Sequence, residues 1–284
     1  MENTKQIQII VLAAVVLVIG FLLFKPVKGL VNEDEKTAAA ATSSQGAAAA
    51  AQFNLSSVSE AAKKGLNPAI VNEISDLEAN ANKADGAEKV KIYQQIADKW
   101  NDVEKSVPQA YLYEEMAKLE PRFEYWLKSG DNFRKGYTNL QDTTLATALN
   151  LKAIEVYQKA VDLNGASLDA KTGLGAAMVT GTNNPMAGIA ILREVVQADP
   201  KNLEANKTLG LFSLQSRQFD RAIDRFKIVI EQKPDAESYF YLATGYENIG
   251  MKNEAIAAFQ KSKEMAADPS LSQFIDRRIQ ELSK

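Results

Sequence analysis

Paired carboxylates are the first side chains in this chain whose type and spacing could do chemistry. A general acid and a general base need two titratable groups within reach of one substrate. The candidate pairs are Glu114 with Glu115, Asp220 with Asp224, and Glu237 with Glu247. Charges spaced in this way along helices usually form a solvated face, and no cleft motif accompanies them here. We therefore predict a protein that is not an enzyme, and keep an enzyme built on helical repeats as an alternative.

A glycine-rich segment at residues 173–178, GLGAAM, opens like a dinucleotide-binding turn. In that motif a third glycine closes the turn, a strand precedes it, and the backbone approaches the pyrophosphate. Met178 stands in place of the third glycine, and no strand pattern precedes the segment. We therefore predict that the protein binds no cofactor.

The composition excludes several further classes of function. The 284 residues include no cysteine and no histidine. Zinc sites that use these residues, disulfides, thiol nucleophiles and histidine-dependent catalytic triads are therefore excluded. The formal net charge is −3, so the chain lacks the positive field that attracts a phosphate backbone. We predict no metal site and no nucleic-acid partner.

An uncharged, mostly apolar run occupies residues 7–24, after a short tail at 1–6. About 20 such residues cross the hydrocarbon core of a bilayer as a helix, whereas a signal peptide has an apolar core of about 7–15. The following residues, Lys25-Pro26-Val27-Lys28, make a poor cleavage site. We predict one transmembrane helix at 7–24, and a cleaved signal peptide is the alternative.

A low-complexity segment, TAAAATSSQGAAAAA, follows at residues 37–51. Isolated short helices are marginal in water even when they are rich in alanine. We predict a flexible, alanine-rich linker over residues 25–65. Asn67-Pro68 then reads as a helix N-cap with proline at the first helical position, so the folded part is predicted to begin at residue 66.

The remaining residues keep helical spacing, and no stretch alternates with period two for long enough to predict a strand. Large and small residues also recur in the same order at a spacing of 33: Leu209, Gly210, Ala222 and Phe226 correspond to Leu242, Ala243, Ala255 and Phe259. Leu174, Gly175, Gly188 and Leu192 repeat the order 34 or 35 residues earlier. A fixed period in this range indicates stacked repeats. The sequence therefore predicts an all-α fold.

This pattern resembles the tetratricopeptide repeat (TPR), a helix-turn-helix unit of about 34 residues. The matching segments are 168–200, 203–235 and 236–269, with divergent units at 90–121 and 123–165. The resemblance implies about five units stacked into a superhelix, an α-solenoid, over residues 66–270. Residues 271–284 carry one apolar stripe and are predicted to form a capping helix.

In TPR proteins the first helix of each unit lines the inner, concave face, which binds other proteins. The resemblance places ten residues there: Glu204, Lys207, Leu211, Leu214, Gln215, Glu237, Phe240, Thr244, Glu247 and Asn248. Leu211 occupies a position at which carboxylate-binding repeats carry asparagine, so such a clamp is not predicted. Leu211, Leu214 and Phe240 suggest an apolar groove with a polar rim. The alternative is that these three side chains pack against neighbouring helices.

The leading functional hypothesis is a non-enzymatic, membrane-anchored TPR scaffold or adaptor. It would bind proteins of a bacterial envelope complex, or the clients of that complex, in secretion or envelope biogenesis. In layout the chain resembles the single-pass TPR proteins that accompany the bacterial Sec translocon. We predict an inner-membrane protein whose array faces the periplasm, although lysines flank the span on both sides. An anchored regulator of envelope assembly that faces the cytoplasm is the alternative.

Overall fold

The computed structural model describes residues 53–138, 140, 142–182 and 184–284. The predicted tail, transmembrane helix and most of the predicted linker lie outside these residues. Within the described ranges there are thirteen helices and no strand, so the predicted all-α fold is confirmed there. The helices are α1 Leu55–Lys63, α2 Pro68–Ala81, α3 Gly86–Asp102, α4 Ser106–Leu119, α5 Phe123–Thr138, α6 Thr143–Leu163, α7 Leu168–Gly181, α8 Pro185–Ala198, α9 Leu203–Gln215, α10 Phe219–Gln232, α11 Ala236–Asn248, α12 Lys252–Met265 and α13 Pro269–Leu282. None of these described helices combines the length and the apolar character that a bilayer span requires.

Helix α1 lies inside the segment that the sequence analysis assigns to a flexible linker. The Asn54 side chain accepts a hydrogen bond from the Ser57 backbone N–H at 2.9 Å, and the Ser57 hydroxyl accepts one from the Asn54 N–H at 3.1 Å. This reciprocal cap begins the helix. Val58 is buried in the core and Lys63 pairs with Glu78 of α2 at 2.5 Å. Nine residues form a helix here because the folded part supports them.

The described chain divides into two compact units, and the first runs as far as Ile191. Within it, consecutive helices from α2 through α7 pack against each other, and α5 also packs against α7. The Tyr157 ring of α6 is fully buried beside Gly130 of α5 and Gly173 of α7. A methyl group on Gly130 would lie 2.6 Å from this ring, and one on Gly173 would overlap it. The small residues of the repeat therefore make room for an aromatic ring.

The second unit runs from Leu192 to Lys284 and shows the same arrangement. Consecutive helices from α9 to α13 are neighbours, and α9 also packs against α11. Ala222 and Ala255 are fully buried, and a methyl group on Gly210 would lie 2.9 Å from the Phe226 ring. Close contact between the two helices of a unit therefore needs small side chains at these positions. The predicted superhelix of all units stays a prediction.

Helix α13 corresponds to the predicted capping helix and begins two residues earlier than predicted. The Asp268 side chain caps it by accepting a hydrogen bond from the Ser270 N–H at 2.8 Å, and Pro269 stands in the first turn. Leu271 and Ile275 bury its apolar stripe against the core of the second unit.

Candidate protein-binding face

The ten predicted binding residues lie on α9 and α11, and we call this set the α9–α11 face. Each helix has a side-chain cap at its start. Asn202 accepts a hydrogen bond from the Ala205 N–H at 3.0 Å, and Asp235 accepts one from the Ser238 N–H at 2.7 Å. Because α9 and α11 are neighbours, the structure brings residues from two successive repeats together.

An ion pair joins the two helices. The Lys207 Nζ lies 2.6 Å from Glu237 Oε2, and the Tyr241 hydroxyl donates to Glu237 Oε1 at 3.1 Å. Burial alone would lower the pKa of Lys207, but the charge of Glu237 and the hydrogen bond between them outweigh burial and raise this pKa. The ion pair therefore favours the charged form of Lys207.

Two members of the set are buried. Leu214 is only 6% exposed and belongs to the core cluster of the second unit. Its side chain therefore packs against neighbouring helices, which is the alternative given in the sequence analysis. Thr244 is 7% exposed, and its hydroxyl donates to the Phe240 carbonyl oxygen at 2.9 Å. The other eight are partly or fully exposed: Glu204, Lys207, Leu211, Gln215, Glu237, Phe240, Glu247 and Asn248.

Phe240 is half-buried among aromatic rings. Its ring centroid lies 5.6 Å from that of Phe259 on α12, in an edge-to-face arrangement. The ring centroid of Phe274 on α13 lies 5.9 Å away on a tilted plane. Aromatic pairs at such distances stabilise a fold beyond the apolar area that they bury. The C-terminal helix therefore contacts one of the predicted anchors of the face.

Glu247 is also in contact with α13. Its carboxylate pairs with the guanidinium of Arg278, which lies 2.5 Å from Glu281 as well. Burial raises the pKa of Glu247, and the Arg278 charge opposes this shift. Asn248, next along the helix, donates to the Thr244 carbonyl oxygen at 2.8 Å. Part of the predicted face is thus engaged by the chain itself.

The sequence analysis did not connect Phe274 and Arg278 with this face. Phe274 follows Phe240 by 34 residues, which is one repeat period. That spacing is the signal that α13 stands where the first helix of another unit would stand.

The remaining candidates for chemistry lie on helices of the described structure, and Asp220 and Asp224 are exposed on α10. Glu114 is buried and pairs with Lys118 at 2.9 Å and Lys152 at 3.0 Å, which gives it a structural role. Glu237 and Glu247 are each paired with a different cation. The GLGAAM segment lies within α7 and forms no turn. Nowhere in the described ranges do three or more acidic side chains cluster as metal ligands would.

No protein-family model matches the chain, and no curated protein matches it. Solved structures of MamA, a TPR-like helical repeat protein, are similar to it. MamA from Desulfovibrio magneticus RS-1 is 17% identical with a TM-score of 0.51, covering 64% of this chain and 97% of that chain. A double mutant of MamA RS-1 is 19% identical with a TM-score of 0.51, covering 64% and 96%. A further crystal structure of MamA is 26% identical with a TM-score of 0.49, covering 60% and 94%. The first two similarities support a helical-repeat fold of the TPR kind.

Proposed function

We propose that this helical-repeat chain is a non-enzymatic scaffold that binds a protein partner on the α9–α11 face. The observation that carries the proposal is the arrangement of partly exposed Leu211 and Phe240 beside the Lys207–Glu237 ion pair. Leu211 follows Lys207 by four residues and Phe240 follows Glu237 by three, so both lie about one helical turn beyond the pair. Apolar anchors bordered by charges are the usual anatomy of a protein interface.

The proposal extends to the location of the scaffold. The uncharged run at residues 7–24 supports an inner-membrane anchor, and the alanine-rich segment behind it supports a tether. The partner in this proposal is a protein of a bacterial envelope complex or one of its clients, met on the periplasmic side. A regulator that faces the cytoplasm keeps the same binding face and differs only in orientation.

Crosslinking in native membranes, followed by identification of the captured chain, would test the binding face. We expect Leu211→Asp and Lys207→Glu each to reduce capture at least tenfold, because both alter the exposed part of the face. Arg221→Asp is the matched control, since Arg221 is an exposed residue of α10 outside the face. Circular dichroism would establish that each variant is folded. Undiminished capture by both folded face variants would refute the proposed face.

A further inference from the structure

Helix α13 contacts the α9–α11 face through two side chains. Phe274 packs on Phe240, and Arg278 pairs with Glu247. These contacts involve one apolar and one charged member of the predicted binding set. The segment at residues 269–282 therefore indicates which side chains this part of the face can contact.

The docked segment has the pattern of a helix that binds in a groove. Leu271 and Ile275 are buried, and Phe274 and Ile279 are partly buried, so apolar residues recur at intervals of three and four. Such spacing is the signature of an amphipathic helix whose apolar face lies in a groove. At the rim, Asp276 pairs with Lys263 of α12 at 2.6 Å.

The pairing of Glu247 with Arg278 makes the site selective for ligands that carry a cation. The Glu247 side chain is only 18% exposed, and removal of its cation would leave a poorly hydrated carboxylate. Whatever replaces α13 must therefore supply a cation at the position of Arg278. It must also supply a large apolar or aromatic side chain at the position of Phe274, four residues before that cation.

The length and the contacts of helix α13 also favour its undocking from the second unit. It has 14 residues, and isolated helices of this length are marginal in water, so its structure depends on docking. Within the second unit it packs chiefly against α12, and its contact with α11 is made by a few side chains. Elements with few buried contacts open locally at a lower free energy than the centre of a fold.

We propose that α13 is an intramolecular substitute for the partner. On this view Phe240 and Glu247 bind an amphipathic helix of the partner protein, in which an aromatic residue precedes an arginine by four positions, after α13 has undocked. This inference rests on the proposed function and specifies the class of partner. Undocking of α13 then regulates access to the face.

The test uses a fluorescent synthetic peptide of residues 268–284 as the probe and the full chain as its receptor. The double variant Phe274→Ala with Arg278→Glu removes both contacts of α13 with the face. We expect the peptide to bind this variant at least tenfold more tightly than the unaltered chain, as measured by fluorescence anisotropy. Arg277→Glu is the matched control. Arg277 is exposed, and this substitution makes the same change of charge one residue away from Arg278. The peptide should bind this control as weakly as it binds the unaltered chain.

A charge swap would identify the contact itself. A peptide that carries Arg278→Glu should bind the double variant at least tenfold less tightly than the unaltered peptide does, because its new carboxylate would face that of Glu247. Equal binding of the peptide to the double variant and to the Arg277→Glu control would overturn the proposal.

Hydrogen exchange of the unaltered chain provides a second test that does not depend on whether the double variant folds. Amides of α13 should exchange at least tenfold faster than those of α11 and α12. Exchange of α13 at the rate of α12 would also overturn the proposal. These outcomes are independent of capture in native membranes. The peptide could bind as expected while Leu211→Asp and Lys207→Glu leave capture unaffected. That combination would support the α13 site and refute only the wider face.

Discussion

Replacement of Gly173 by alanine should destabilise the first unit through a single methyl group. The new methyl would overlap Cζ and Cε1 of the Tyr157 ring and lie 2.8 Å from its hydroxyl oxygen. The ring cannot move away freely, because Gly130 stands close to it as well and the Tyr157 hydroxyl donates to Asp131 Oδ1 at 2.7 Å. The ring is also fully buried, so no solvent-filled space surrounds it.

Two opposing effects set the size of the change. Overpacking of a dense core costs about 1–3 kcal/mol, whereas alanine in place of glycine inside a helix stabilises by about 0.5–1 kcal/mol. The overlap involves a ring held on several sides, so we take the upper part of the overpacking range and expect a net loss of about 2 kcal/mol. For a unit of this size that corresponds to a decrease in Tm of about 4–8 °C.

Thermal unfolding followed by circular dichroism would measure this loss, with Tyr157→Ala as a second background. Removal of the ring should itself cost about 3–5 kcal/mol. In that background Gly173→Ala has nothing to overlap, so it should stabilise by the propensity difference alone. An unchanged or higher Tm for Gly173→Ala in the unaltered chain would refute the packing argument.

Three further predictions concern other parts of the chain. Ala222→Leu should cost about 1–3 kcal/mol in thermal unfolding, because Ala222 is fully buried between helices, whereas exposed Asp220→Leu should leave the Tm nearly unchanged. Because the pKa of Lys207 is raised above 10.5, its pairing should stabilise the fold below about pH 10.5 and lose this effect as the pH rises through the higher folded-state pKa. Urea unfolding should therefore show a smaller difference between the unaltered chain and Lys207→Met above pH 11 than at pH 7. The full chain should resist alkaline carbonate extraction from membranes, and removal of residues 1–51 should release it. Protease added to spheroplasts should digest the array. An array that is protected until the spheroplasts are lysed would instead favour the cytoplasmic orientation.

The repeat pattern predicted the packing of the array better than it predicted the exposed face. Ala222 and Phe226 were placed by a recurring order of small and large residues, and both are fully buried. Packing constrains such positions strongly, so the order of residue types carries the information. The apolar stripe at residues 271–284 predicted a helix there, and the structure has α13 at Pro269–Leu282.

The remaining features depend on tertiary contacts that local pattern does not carry. A leucine on a helix repeats with the same period whether it faces a groove or the next helix, so Leu214 could not be assigned to the core from spacing. Helix α1 is short and follows a low-complexity segment, and its stability comes from partners such as Glu78. The pairing of Glu247 with Arg278 joins residues 31 positions apart, and charge alone does not identify such partners.

The order of residues along the chain gives the contact between α11 and α13 a consequence during biosynthesis. Phe240 leaves the ribosome 34 residues ahead of Phe274. At about 5–20 residues per second, the interval between them is about 2–7 s. During that time α9 to α12 can fold while Phe240 and Glu247 are still uncovered. If α13 competes with a partner as proposed, a nascent chain would offer this site to that partner before α13 has emerged from the ribosome.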